Sequence, residues 1–150
     1  MFWDSNLNSN KNIRVLVVDD STAIQTITRS LLVKEGFEVC TASNGYEALA
    51  KVVDFQPRVI LLDDSMPRLD GYETCAVIKN HDRYNRIFVV MLLSQDGLID
   101  RARGHMAGVD HFLTKPFTRE ELLGVIRPFQ PDSNDEFEEK SGSKEVLIKN

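Results

Sequence analysis

Five short apolar runs, each followed by a stretch whose apolar residues recur at helical spacing, restrict the possible folds of this chain more than any other feature. The runs are RVLVVDD at 14–20, FEVCTA at 37–42, RVILLDD at 58–64, IFVVMLL at 87–93 and HFLT at 111–114. Each is too short for a helix and reads as a strand. Between them, Ile24, Ile27, Leu31 and Leu32 form an amphipathic stripe that stops at Gly36. A second helix opens near Asn44 with Ala48, Leu49 and Val52 on one face, and a third covers about Tyr72 to Asn80. A fourth, beginning near Gly97, carries Ile99, Ala102 and Met106 and stops near Gly108. Thr118 with Glu121 makes a capping box that opens the last helix, whose apolar face is Leu122, Ile126 and Phe129. Strict strand–helix alternation implies a parallel sheet with helices on both faces, joined by right-handed crossovers.

The two ends lie outside this alternation. Residues 1–12 read as a flexible N-terminal segment, 13–129 as the folded domain, and 130–150 as an acidic flexible tail rich in Ser and Asn. A tail of that length is too short for a DNA-binding domain. The net charge of −5 and the absence of a Lys/Arg cluster also argue against nucleic acid as a partner. The longest apolar run, Ile87 to Leu93, falls far short of the about 20 residues a membrane span needs, so no membrane insertion is expected. The N-terminus lacks the basic start and apolar stretch of a secretory signal. Cys40 and Cys75 have no CxxC partner, and are expected as buried thiols in a reducing cytoplasm. His81, His105 and His111 share no metal-binding spacing.

In an open parallel sheet, ligands gather at the carboxyl ends of the strands near the point where strand order reverses. Three strands deliver charge to that rim: the first ends in Asp19 and Asp20, the third in Asp63 and Asp64, and the fifth runs into Lys115-Pro116. Clustered carboxylates repel and raise one another's pKa, so something must offset the cost. A hard divalent cation such as Mg²⁺, which prefers carboxylate and water oxygens, fits that need. Carboxylates, Mg²⁺ and an ammonium group together describe a phosphoryl-transfer site, with one Asp as nucleophile and the Lys pairing with the phosphoryl group.

The segments VLVVDDS, VILLDDSMPRLDG and FLTKPF, in this order, resemble the receiver domain of two-component response regulators over residues 13–129. The resemblance implies an α/β, flavodoxin-like, doubly wound five-stranded parallel sheet of order 2-1-3-4-5 with five helices. It also implies a cytoplasmic phosphoacceptor rather than an enzyme acting on other substrates, with a histidine kinase as donor. In receivers two residues separate the acceptor from Met-Pro, which selects Asp63 and leaves Asp64 as a neighbour on the alternate face. Asp19, Asp20 and Asp63 then resemble the Mg²⁺ ligands, with the Ser65 backbone carbonyl beside them. Lys115 resembles the phosphate-pairing lysine, and its bond to Pro116 is expected to be cis. DGYETCAVIKN, SQDGLIDRARG and FLTKPFTREELLG further resemble the single-domain regulators of twitching motility in type IV pilus systems. That likeness implies a histidine kinase of chemotaxis type and a downstream motility or signalling protein as partners.

Two positions depart from the receiver pattern. The residue after the acceptor is usually apolar but here is Asp64, either harmless on an exposed face or an aid to cation binding. The Ser or Thr that closes strand four in receivers is replaced by Leu93, which has no hydroxyl to offer a phosphoryl group. Ser94 is one residue later and, by strand periodicity, faces the other way. The aromatic residue coupled to this switch is Phe112. These departures keep a second reading open, in which a degenerate receiver acts as an interaction module uncoupled from phosphorylation. A haloacid-dehalogenase-type phosphatase is disfavoured, because that family needs Asp-x-Asp and this chain offers only adjacent acids.

Overall fold

A computed structural model describes residues 12–94 and 101–130. The strands are β1 (Arg14–Val18), β2 (Glu38–Ala42), β3 (Val59–Asp63), β4 (Phe88–Leu93) and β5 (His111–Thr114). The helices are α1 (Thr22–Lys34), α2 (Gly45–Phe55), α3 (Gly71–Lys79), α4 (Arg101–Ala107) and α5 (Arg119–Ile126), with a 3₁₀ turn at Arg127–Phe129. All pairings are parallel and the sheet order is β2-β1-β3-β4-β5, as the family resemblance implied. The order reverses beside β1, which places the binding crevice at the carboxyl ends of β1 and β3.

Because strand side chains alternate between faces, the sheet builds two cores. One gathers Leu16, Ile60, Leu62, Met91 and Leu93 with Ala48 and Val52 of α2 and Cys75 and Ile78 of α3. The other gathers Val15, Val17, Leu61, Val90 and Leu92 with Leu32 of α1 and Leu122 and Ile126 of α5. β3 is buried along its whole length, as its unbroken apolar run requires of a central parallel strand.

Local capping explains where the helices begin. The side chains of Ser21, Asn44, Asp70 and Thr118 each accept a backbone N–H from the first turn of α1, α2, α3 and α5. The Thr118/Glu121 capping box forms as expected, and Asp70 with Glu73 makes a second. Gly71 opens α3 for a steric reason: a Cβ there would collide with the Asp63 carbonyl oxygen.

Two expected apolar stripes are corrected. Ile27 is 62% exposed, because α1 is rotated so that Thr28 and Leu32 face the sheet instead. Met106 is 88% exposed, and α4 turns the buried Gly104 inward, where a Cβ would strike the Phe112 ring. Cys75 is buried as expected and burial pushes its thiol up to about 12, while Cys40 is only half-buried. Gln130, assigned to the tail by composition, is anchored: its amide donates to the Glu35 carbonyl at 2.8 Å. Residues 1–11 of the N-terminal segment, the rest of the tail, and the expected helix start at Gly97 with Ile99 fall outside the described residues.

Candidate phosphoryl-transfer site

The carboxyl ends of β1, β3 and β5 bring together four of the side chains singled out from sequence. Asp19 and Asp63 are 1% and 3% exposed, whereas Asp20 lies open to solvent. Carboxylate oxygens of Asp19, Asp20 and Asp63 lie within 4.8 Å of one another, close enough to ligate one cation. The Lys115 Nζ donates to Asp19 Oδ2 at 3.1 Å and to Asp63 Oδ1 at 3.2 Å, bridging the two buried acids. Backbone N–H groups complete the cradle, from Ser21 to Asp19 Oδ1 at 2.9 Å and from Ser65 to Asp63 Oδ1 at 3.3 Å.

Several contacts hold this rim in place. The Lys115 N–H donates to the Leu93 carbonyl at 2.8 Å, tying the end of β5 to the end of β4. The Lys115–Pro116 peptide is cis. Gln25 was not singled out from sequence; its side-chain amide donates to the Asp19 carbonyl at 2.7 Å and to Ser43 Oγ at 3.1 Å. A lone polar residue in a helix carries no sequence signal for such a role.

The electrostatics follow from three acids against one ammonium. Burial, then the Asp19 charge, raise Asp63 from the ordinary 3.8 to about 6, although Lys115 and the Ser65 N–H oppose the rise. Burial by itself would depress the Lys115 ammonium, but the charges of Asp63 and Asp19 together outweigh it and hold its pKa above the ordinary value. At neutral pH the site therefore holds an ionised Asp63 at a cost and a firmly protonated Lys115. A donor set made wholly of carboxylate oxygens suits a hard cation such as Mg²⁺.

The departing positions are also located. Asp64 does not sit on an exposed face: it is 6% exposed and stands outside the carboxylate cluster. Its side chain turns toward the end of β4, where Oδ2 accepts the Ser94 N–H at 3.3 Å. Leu93 is fully buried, in the same core against which Phe112 packs, and Ser94 is exposed. Phe112 also meets the His105 ring edge-on, with centroids 5.8 Å apart.

Comparison with known proteins agrees with this architecture. Residues 15–127 match the response regulator receiver domain. Protein PilG of Pseudomonas aeruginosa is 50% identical over 119 residues, which cover 79% of this chain and 88% of PilG. The transcriptional regulatory protein TrcR of Mycobacterium tuberculosis is 37% identical over 115 residues, 77% of this chain but only 44% of TrcR. Among solved structures, the Vibrio cholerae chemotaxis protein CheY4 superposes with a TM-score of 0.74 at 32% identity, covering 79% of this chain and 98% of CheY4. A putative response regulator from Chloroflexus aurantiacus gives a TM-score of 0.75 at 28% identity, over 80% of this chain and 98% of its own. With the receiver match spanning most of its length and a half-identical relative alongside, this chain belongs to the response regulator receiver family.

Proposed function

We propose that this protein is a phosphoacceptor of a two-component pathway, receiving a phosphoryl group on Asp63 from a histidine kinase. The observation that carries the reading is Lys115 bridging buried Asp63 and Asp19, with Asp20 alongside. Lys115 and the Ser65 N–H both engage Oδ1 of Asp63, which leaves Oδ2 as the nucleophile. With a pKa of about 6, Asp63 is mostly ionised at pH 7, as nucleophilic attack requires. Asp63 Oδ2 forms a bond to phosphorus as the phosphorus–nitrogen bond of the donor phosphohistidine breaks and the imidazole departs. Lys115 then stays paired with the negative charge that accumulates on the phosphoryl oxygens. Mg²⁺, held by Asp19, Asp20, Asp63 and the Ser65 carbonyl, would supply the positive charge that neutralises those oxygens.

The likeness to PilG and CheY4 supports a kinase of chemotaxis type, a downstream motility or signalling protein, and a place in the cytoplasm. Among the described residues no helix is long and apolar enough to cross a membrane. A second reading, an interaction module whose shape ignores phosphorylation, draws on the burial of Leu93 where receivers carry a hydroxyl.

The test is incubation with Mg²⁺ and a small acyl-phosphate donor, followed by intact-mass measurement. One phosphoryl adduct is expected, absent in Asp63→Asn and without Mg²⁺. An adduct that persists in Asp63→Asn, mapped to Asp64, overturns the assignment.

A further inference from the structure

Among the described residues, Asp64 is the one buried acid that the phosphoryl-transfer chemistry does not use. Three bonds locate it. Its N–H donates to the Leu92 carbonyl at 3.1 Å, its carbonyl accepts the Gly71 N–H at 3.1 Å, and its Oδ2 accepts the Ser94 N–H at 3.3 Å. One residue thus joins the end of β3 to the start of α3 and to the residue that follows β4. Its other carboxylate oxygen, Oδ1, is buried with no hydrogen-bond partner among the described residues.

A buried carboxylate with one oxygen unpaired carries a desolvation cost that an aliphatic side chain would avoid. Packing therefore does not explain Asp64. Among the described residues its side chain makes a single directed contact, and that contact falls where the chain leaves β4. Position 93 cannot hold this departure through its own side chain, because Leu93 has no polar group and is fully buried.

We infer that Asp64 is a positioning residue whose carboxylate clasps the Ser94 backbone and couples the state of Asp63 to the chain leaving β4. This rests on the reading of Asp63 as phosphoacceptor. Phosphorylation adds negative charge to the residue covalently next to Asp64, and like charges repel. Among the described residues Oδ1 has no bond to resist displacement, so the clasp at Oδ2 is the contact that yields. Release of Ser94 loosens the end of β4 without any hydroxyl at position 93.

The test follows one amide. Exchange of the Ser94 N–H is measured by NMR in wild type, Asp64→Asn and Asp64→Leu in three states: without Mg²⁺, with Mg²⁺ alone, and with Mg²⁺ and beryllium fluoride as phosphoryl mimic. In the metal-free state Asp64→Leu should exchange about 10-fold faster or more at Ser94, as expected for loss of a charged acceptor. Asp64→Asn, which keeps an acceptor oxygen, should restore most of the protection, a rescue that loss of packing alone would not give. Relative to Mg²⁺ alone, the mimic should accelerate Ser94 exchange in wild type and leave Asp64→Leu unchanged. Equal protection in wild type and Asp64→Leu overturns the clasp, and equal response to the mimic in both overturns the coupling. If Asp64→Leu does not fold, wild type against Asp64→Asn decides: in wild type, Ser94 exchanging as fast as an unprotected amide, or unmoved by the mimic, overturns the proposal. Phosphoryl labelling of Asp63 is scored separately by mass in each protein. Its absence defeats the phosphoacceptor reading and the coupling with it, while the metal-free comparison still decides the clasp.

Discussion

Replacing Asp63 by Asn should stabilise the metal-free protein at neutral pH and remove its response to Mg²⁺. Folding raises the Asp63 pKa from 3.8 to about 6, chiefly through burial and then through the Asp19 charge. Each tenfold change in an ionisation constant corresponds to about 1.4 kcal/mol, so ionised Asp63 costs the fold at most about 3 kcal/mol. Because the folded pKa lies above the unfolded one, this cost is absent below pH 3.8 and is reached in full as pH rises through about 6. Asn resembles the protonated carboxyl and does not ionise. Its advantage in urea denaturation with EDTA should therefore be about 1–3 kcal/mol at pH 7.5 and should fade toward zero by pH 4. Saturating Mg²⁺ should raise the stability of wild type and narrow or reverse the gap, since a bound cation favours the ionised carboxylate. An Asn variant no more stable than wild type at pH 7.5, or an advantage that grows on acidification, would refute this account of the site.

Asp20 is exposed and outside the Lys115 bridge, so Asp20→Asn should leave folding nearly unchanged while weakening Mg²⁺ at least about 10-fold; a Mg²⁺ titration followed by intrinsic fluorescence reads this. Leu93→Thr places a hydroxyl in a fully buried apolar position and should cost about 2–4 kcal/mol in the metal-free state, read by urea denaturation. The same substitution should enlarge the mimic-induced NMR shifts around Phe112, as a new hydroxyl gains a phosphoryl partner. Gly71→Ala drives a methyl against the Asp63 carbonyl oxygen and should lower stability by about 1–3 kcal/mol, with slower phosphoryl labelling from a displaced acceptor. Truncation after Gln130 should change the melting temperature little, whereas truncation after Phe129 also loses the bonds from Gln130 to Glu35 and should cost about 1 kcal/mol more.

The strands were the most legible elements, because a central parallel strand buries both faces and so becomes an unbroken apolar run. β5 was read with its observed bounds and the other four up to two residues too long. Phe37 and Ile87 continue the apolar run one residue before β2 and β4, and the acids Asp19, Asp20 and Asp64, counted into the first and third runs, lie past the ends of β1 at Val18 and β3 at Asp63. Helix starts were legible wherever a cap supplied an unambiguous side chain, as at Thr118 and Asn44. Helix faces were less so. A short helix lying on a sheet edge needs only one or two inward residues, and in α4 the inward residue is a glycine that no hydrophobic count registers. In α1 a buried threonine takes a position that the stripe assigned to Ile27.

The acidic cluster was legible because strand ends in a doubly wound sheet share one rim, so charge on three separate strands converges without any tertiary information. Periodicity placed Asp64 away from Asp63 but carried no information on what it would meet, because that depends on where the neighbouring strand stops. β4 ends at Leu93, paired with Thr114 of β5, and so the first N–H beyond it falls at Ser94, within reach of Asp64. The two departures from the receiver pattern thus meet at one corner of the sheet. Leu93 removes a polar contact there and Asp64 introduces one. An acid at 64 without its backbone partner would carry only the cost of burial, and a leucine at 93 without the clasp would leave the end of β4 held by ladder bonds and apolar packing, with no polar side chain at the exit. The pair is consistent as a unit in a way that neither residue is by itself, so Asp64→Leu and Leu93→Thr should be non-additive in stability.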